Sequence, residues 1–216
     1  MKKKSKLVII LFIILIISFT FVFLYYKSGK NVNNINKSTD DIVKNILNIS
    51  SYEAELEVTI ESNKNTNKYK IKQAYAKPNI VKQIVQEPSN IENLTIIYDG
   101  KNMKIENTKL SLSKIYENYE YISQNTLWLS SFIDNYNDNS RIKETENEVI
   151  IENNNNFNNY QNRQTLYISK KTGVPTKLEV YDNNKNARIY IKYNEIKINK
   201  IKQNEIVAFK YRKTNI

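Results

Sequence analysis

Residues 51–61 read SYEAELEVTIE, and this stretch decides the fold class. Apolar side chains recur at every second position, and glutamate or threonine fills most positions between them. This is the period of a β-strand that has one buried face and one face in water. We interpret the glutamates as the solvent face of a sheet, in preference to an acid–base pair or calcium ligands. The buried face is predicted to carry Ala54, Leu56, Val58 and Ile60.

The chain that follows continues as short strands separated by turn residues. One strand is predicted from Tyr69 to Tyr75 and a third from Ile80 to Val85. The sequences Lys77-Pro78 and Glu87-Pro88 end them, because proline has no amide hydrogen to donate to a ladder. Alternation in successive segments of this kind predicts an antiparallel meander.

Two glycines mark the clearest hairpins. The dipeptide Asp99-Gly100 separates two alternating runs, residues 94–98 and 101–106, and predicts a two-residue turn between paired strands. Gly173 ends the segment KKTG between the strands predicted at 165–169 and 176–181. A long alternating strand is then predicted over residues 188–198, while the asparagine run 153–159 predicts a loop.

Helical spacing appears in two places. Ser38, Thr39 and two aspartates mark a helix start, and residues 39–48 are predicted to form one short amphipathic helix. Apolar residues three and four apart predict one or two helices between Leu110 and Asn137, laid over the sheet. These side chains would either fill the core or line a cavity for an acyl chain, and the pattern allows both. The set is Trp128, Leu129, Phe132, Ile133 and Tyr136.

An uncharged apolar run precedes the predicted domain. It extends over residues 7–26, long enough for a helix that spans a hydrocarbon core about 30 Å thick. Lysines at positions 2, 3, 4 and 6 place the N-terminus in the cytoplasm and the rest of the chain outside. A cleaved secretory signal is the alternative, although no pair of small residues marks a cleavage site. The anchor includes Leu7, Ile14, Phe21, Tyr25 and Tyr26.

The predicted organisation therefore has four parts. Residues 1–6 form a cytoplasmic basic tip, residues 7–26 a transmembrane signal-anchor and residues 27–38 a linker, and residues 39–216 form one extracytoplasmic domain. Such a protein would belong to the cell membrane, or to the membrane of the forespore or spore, as a single-pass protein.

Composition argues against several functions. The chain has 216 residues with no histidine and no cysteine, which removes the commonest general base, zinc ligands and thiol chemistry. No pair of acidic residues stands apart from the predicted wet strand faces. We therefore predict a protein that is not an enzyme, with no cofactor and no metal site. The net charge of +11 is spread along the chain without a nucleic-acid-binding motif, so no nucleic acid is expected as a partner.

Three motifs carry a resemblance to a known superfamily. They are YKIKQAYAKPN at 69–79, YDGK at 98–101 and LYISKKTGVPTKLE at 166–179. In this order they resemble the LolA/RseB-like superfamily of lipoprotein-carrier folds, and within it the clostridial germination lipoprotein GerS and its relatives. The resemblance implies an α+β fold: an unclosed antiparallel β-barrel of LolA type with helices covering the concave face.

The resemblance also implies two functions. GerS-type proteins are expected to bind and activate a spore-cortex amidase of the CwlD type, and carriers of this fold hold acyl chains. GerS carries a lipidated cysteine that this chain lacks, so the predicted transmembrane helix would provide the tether instead.

The leading hypothesis is a membrane-tethered, GerS-like regulatory protein that acts in germination on a cortex-modifying amidase. The alternative is a lipid- or lipoprotein-binding carrier or sensor. Edge strands of an open barrel could pair with the partner or with a second copy in a homodimer. Residues 182–186 and 209–216 are the predicted contact regions.

Overall fold

The computed structural model describes residues 38–119, 127–154 and 161–207. The predicted anchor residues Leu7, Ile14, Phe21, Tyr25 and Tyr26 lie outside these ranges, as does the predicted contact region 209–216. Within the described part of the chain, no helix has both the length and the apolar character needed to cross a bilayer.

The described residues form an antiparallel sheet of eleven strands with three α-helices. The helices are α1 (Thr39–Leu47), α2 (Leu129–Asp134) and α3 (Gln203–Val207). The strands are β1 (Ser51–Glu61), β2 (Thr66–Ala76), β3 (Ile80–Glu87), β4 (Thr95–Asp99), β5 (Met103–Asn107), β6 (Leu112–Tyr116), β7 (Arg141–Glu144), β8 (Glu148–Asn153), β9 (Gln161–Ser169), β10 (Pro175–Asp182) and β11 (Ala187–Ile198).

The sheet is open. Its strand order is β6-β5-β4-β3-β2-β1-β11-β10-β9-β8-β7, and each neighbouring pair is antiparallel. The first and last strands lie side by side at the centre, while β6 and β7 lie at opposite edges. The ladder between β1 and β2 is continuous from the pair Ser51 and Ala76 to the pair Glu61 and Thr66. The unclosed antiparallel sheet predicted from the sequence is confirmed.

Helix α1 begins where the capping pattern predicts. The Ser38 hydroxyl accepts a hydrogen bond from the amide of Asp41 at 3.1 Å, which satisfies one free donor of the first turn. Ile42 and Ile46 are fully buried one turn apart and pack into the core. The helix ends at Leu47, and Asn48 donates its side-chain amide to the carbonyl of Lys44 at 2.9 Å.

The main core lies on one face of the sheet, which we call the core face. It is built from alternate side chains of the central strands together with residues of α1 and α2. The opposite face is called the outer face, and α3 packs there against β2 and β3. The most deeply buried strand residues on the core face are Tyr52, Ala54, Leu56, Val58, Val149, Ile151, Leu166, Ile168, Leu178, Val180 and Ile191.

The helical prediction for residues 110–137 is wrong over much of its length. Residues 112–116 form strand β6, and α2 is confined to Leu129–Asp134. Leu112, Ile115 and Tyr116 are spaced three and four apart, but the five residues LSKIY are too few to separate a helical period from a strand period. Pairing of β6 with β5, from Leu112 beside Asn107 to Tyr116 beside Met103, decides between the two patterns. Strands β7 and β8 were not predicted.

The first hairpin turn is displaced by one residue from its predicted position. Gly100 and Lys101 are its central residues, because the amide of Asp99 donates to the carbonyl of Asn102 at 3.2 Å. The Asp99 carboxylate accepts from the amides of Lys101 at 3.0 Å and Asn102 at 2.8 Å, so it precedes the turn. Gly100 has φ of 91°, which a residue with a side chain rarely adopts.

Gly173 lies in the turn between β9 and β10. Its φ is 71°, and its amide donates to the carbonyl of Ser169 at 2.7 Å. The Ser169 amide donates in turn to Val174 at 3.1 Å. This turn places the two strands in the register that brings Tyr167 beside Lys177.

Candidate functional site

The predicted cover residues are part of the core. Trp128 is 3% exposed, and Leu129 and Phe132 are 0% exposed. Ile133 and Tyr136 are partly buried and pack against the same cluster. None of the five lines the pocket of about 440 Å³ beside β4 to β6 or the pocket of about 330 Å³ beneath α3. Their side chains therefore help to fill the core face.

Buried polar side chains hold this cover in place. Asn153 of β8 is 0% exposed, and its side-chain amide donates to the carbonyl of Phe132 at 2.9 Å. The Ser140 hydroxyl donates to the side-chain oxygen of Asn153 at 2.7 Å. The Tyr52 hydroxyl accepts from the amide of Leu129 at 3.2 Å. Since buried polar groups require partners, these bonds fix the cover to specific strands.

The glutamates of β1 lie on the outer face, as the alternation predicted. Glu55 pairs with Lys72 of β2 at 2.9 Å, and Glu57 lies 3.7 Å from Lys192 of β11. Both carboxylates are about half exposed, so these pairs contribute little to stability. They form the solvent surface of the sheet.

A different arrangement occupies the outer face of β9 and β10. Glu179 is only 8% exposed, and its Oε2 accepts hydrogen bonds from the hydroxyls of Tyr167 at 3.0 Å and Tyr181 at 2.6 Å. Lys177 Nζ lies 2.8 Å from the other carboxylate oxygen. The sequence alone does not reveal this cluster, because alternating charged and aromatic residues on a strand ordinarily indicate a solvated face.

The edges of the sheet expose apolar side chains. On β6, Leu112 is 41% exposed and Ile115 is 60% exposed, and Leu110 just before the strand is 53% exposed. On β7, Ile142 is 41% exposed. Exposed edge strands with apolar side chains are suited to pairing with another chain.

Comparison with known proteins places the chain in a family. The family model described as sporulation protein YdcC-like matches residues 3–206. The chain belongs to the YdcC-like sporulation protein family. None of the curated proteins compared with the chain matches it.

Solved structures of similar shape accompany this YdcC-like match. An uncharacterized conserved protein from Thermus thermophilus has a TM-score of 0.53 and 10% identity, covering 82% of this chain and 96% of that one. A chain of the CwlD amidase in complex with the GerS lipoprotein, from Clostridioides difficile, has 27% identity and a TM-score of 0.47, with coverages of 76% and 95%. A LolA superfamily protein from Nitrosomonas europaea has 12% identity and a TM-score of 0.42, with coverages of 78% and 96%. The chain thus resembles LolA-type proteins and GerS, as its motifs predicted.

The predicted contact region 182–186 of the YdcC-like domain forms the turn between β10 and β11. The Asp182 carboxylate accepts from the amides of Asn184 and Asn186, both at 2.9 Å, and from Arg188 Nε at 2.7 Å. The carboxylate is therefore occupied in holding the turn. In the described ranges 38–119, 127–154 and 161–207, no group of three or more acidic side chains is placed to hold a metal ion.

The Glu179 cluster predicts a pH dependence of stability. Burial raises the pKa of the Glu179 carboxyl, but hydrogen bonds from Lys177, Tyr181 and Tyr167 outweigh it and hold the pKa below its ordinary value. A carboxyl with a lowered pKa in the folded state stabilises the protein above its unfolded pKa. This contribution disappears as the pH falls through the folded pKa.

We expect Glu179→Gln to lower the melting temperature more at pH 7 than at about pH 3, because only the ionised carboxylate is stabilised by the cluster. Thermal unfolding of both proteins across this range measures the difference. Glu53→Gln, at an exposed position of β1, is the control and should show little change. An equal effect of Glu179→Gln at both pH values would show that the cluster does not stabilise the ionised carboxylate of Glu179.

Proposed function

We propose that this YdcC-like protein is a non-enzymatic regulatory protein that binds a cortex-modifying cell-wall amidase and raises its activity during germination. The observation that carries the proposal is the identity of 27% over 76% of the chain with a chain of the CwlD–GerS complex. Membership of a sporulation protein family supports the same biological setting. The full sequence contains neither histidine nor cysteine, which fits a partner of an enzyme better than an enzyme.

The geometry of the described domain supports binding to another protein. Helices α1 and α2 cover the core face over the central strands, so a partner is expected to meet the edges or the outer face. Apolar side chains at β6 and β7 give both edges a surface that a partner strand could cover. A second copy of this chain pairing through these edges would be compatible with the same function.

Membrane attachment is part of the proposal. Residues 7–26 would hold the domain at the outer surface of the membrane, with residues 1–6 in the cytoplasm and residues 27–38 as the linker. A tether of this kind restricts the domain to the layer next to the membrane and raises its effective concentration for a wall enzyme there. It would also replace the lipid anchor of GerS-type proteins.

The proposal is tested by measuring amidase activity. The full chain in detergent would be added to the CwlD-type amidase of the same organism, and products released from cortex peptidoglycan would be separated and quantified. We expect more product release with the folded chain than without it, because a partner that binds the active state of an enzyme better raises the population of that state. The denatured chain serves as the control. Equal product release with and without the folded chain would contradict activation.

Binding of a lipid or lipoprotein acyl chain is the second candidate function. The observation that favours it lies on β4 and β5, where Ile96, Met103 and Ile105 point to the core face but are only half-buried. An acyl chain could cover these side chains and remove apolar surface from water. Retention of phospholipid by the purified chain would favour this function.

A further inference from the structure

Exposed apolar side chains are concentrated at one edge of the sheet. Among residues 38–119, 127–154 and 161–207, four large apolar side chains are exposed, and three of them belong to Leu110, Leu112 and Ile115. Leu112 and Ile115 point to opposite faces of β6, because an odd number of residues separates their positions along the strand. The edge therefore has apolar groups on both of its sides, an arrangement suited to entering an apolar medium edge-on.

The turn before β6 holds Leu110 in its exposed position. Asn107 is 1% exposed, and its side chain accepts from the amide of Leu110 at 3.1 Å and donates to the carbonyl of Glu92 at 2.8 Å. The amide of Ser111 donates to the carbonyl of Thr108 at 3.3 Å. Because these bonds fix the backbone of the turn, the exposure of Leu110 is a property of the fold.

The two edges of the sheet differ in charge. Residues 101–117, which include β5 and β6, contain four lysines and two glutamates, a net charge of +2. Residues 138–148, which include β7, contain two basic and four acidic residues, a net charge of −2, and Ile142 is the exposed large apolar side chain there. Of the two edges, β6 thus combines several apolar side chains with a net positive charge. This combination is typical of protein surfaces that bind a bilayer with anionic headgroups.

A lysine in the middle of β6 disfavours pairing with a strand of another chain. Lys114 is exposed, and its Nζ lies 4.7 Å from the centroid of the Tyr116 ring. A lysine at such a position of an edge strand opposes the addition of a further strand. At a lipid surface, by contrast, its ammonium group can reach phosphate groups while its apolar stem packs against less polar neighbours. The β6 edge therefore suits a lipid surface better than a partner strand.

We propose that the edge formed by residues 109–116 docks on the surface of the lipid bilayer, an inference that rests on the membrane attachment in the proposed function. Leu110, Leu112 and Ile115 enter the boundary between headgroups and acyl chains, where their apolar surface leaves water. Lys109 and Lys114 contact the phosphate groups of the lipids. The β7 edge and the outer face then remain for the amidase.

The test is the quenching of a fluorophore on the full chain in lipid nanodiscs made of phosphatidylglycerol and phosphatidylcholine. Because the chain has no cysteine, Ser113→Cys on β6 and Asn139→Cys shortly before β7 each create a single labelling site. Both positions are exposed, so a label there should leave the fold intact. Nitroxide groups on the acyl chains of the lipids quench a fluorophore that lies close to them. We expect strong quenching at position 113 and little at position 139.

Two variants separate the parts of the docking surface. Replacing both Lys109 and Lys114 by glutamine should lower the equilibrium constant for docking by about 25-fold, since one lysine near an anionic surface contributes about fivefold. Replacing both Leu112 and Ile115 by serine should reduce the quenching at position 113 to the level at position 139. Ile142→Ser on β7 is the matched control and should leave the quenching at position 113 unchanged.

Each outcome supports or overturns the docking of β6 on lipid. Equal quenching at positions 113 and 139, or unchanged quenching at position 113 in the serine variant, would overturn it while leaving amidase activation in place. If the serine variant does not fold, unchanged quenching in the glutamine variant overturns it in the same way. Quenching at position 113 that changes only when the amidase is added would assign this edge to the amidase and would also overturn it. A full chain that does not copurify with the nanodiscs would overturn the proposed membrane attachment and this inference with it.

Discussion

Replacing Phe132 by alanine is expected to lower the free energy of unfolding by about 3–5 kcal/mol, the usual cost of removing a fully buried phenylalanine. Phe132 is 0% exposed and is the largest side chain that α2 contributes to the core. Its removal would leave a cavity between α2 and the strands. For a domain of this size the melting temperature should fall by about 10 °C.

Chemical denaturation monitored by circular dichroism would measure this change. Ile142→Ala on edge strand β7 is the matched control, because Ile142 is 41% exposed and its loss should cost well under 1 kcal/mol. A change in stability as small for Phe132→Ala as for Ile142→Ala would mean that α2 is not part of the core.

Replacing Asn153 by leucine is expected to cost about 2–3 kcal/mol, although the two side chains have similar volumes. Asn153 is fully buried, donates to the carbonyl of Phe132 and accepts from the hydroxyl of Ser140. Leucine would leave the Phe132 carbonyl without the Asn153 donor and the Ser140 hydroxyl without its acceptor, although Ser140 would keep its bond from the amide of Asn137. An unpaired buried carbonyl carries a desolvation cost of about 1–3 kcal/mol.

Asn154→Leu is the matched control for this prediction. Asn154 is the next residue and is exposed, so the same substitution there should change stability by less than about 0.5 kcal/mol. Equal effects at the two positions would show that the hydrogen bonds of Asn153 do not hold the cover. Melting temperatures of the unmodified chain, Asn153→Leu and Asn154→Leu would measure the two effects.

Local patterns in the sequence predicted the centre of the sheet because the evidence for it is local. Strand β1 alternates cleanly over its whole length, and its ladder with β2 is continuous. Helix α1 has its own capping residue, Ser38, which bonds to the amide of Asp41 only three residues later and so marks the first turn. These elements are specified by nearby residues, and tertiary contacts agree with the local preference.

The edges could not be predicted in the same way. Strand β7 reads RIKE, with a single apolar residue and no alternation. All four of its residues are exposed, so burial gives it no pattern either. Strand β6 has five residues, too few to separate a period of two from a period of 3.6. In both cases pairing with a neighbouring strand decides the structure, and that pairing is not visible in a short segment.

The polar residues of the site were missed for a related reason. The asparagine run 153–159 predicted a loop, but its first residue ends β8 and is fully buried, while residues 155–159 lie outside the described ranges. Glu179 was one acidic residue among many until the register of β9 and β10 brought the Tyr167 hydroxyl within 3.0 Å of its carboxylate. The spacing at Phe132 left core and cavity both open, and only its burial in the folded chain places it in the core.

Native mass spectrometry of the full chain, co-expressed with the CwlD-type amidase and released from detergent, tests the central claim most directly. We predict a complex that contains the chain and the amidase, with no retained phospholipid. A chain that carries phospholipid and no amidase would contradict the account.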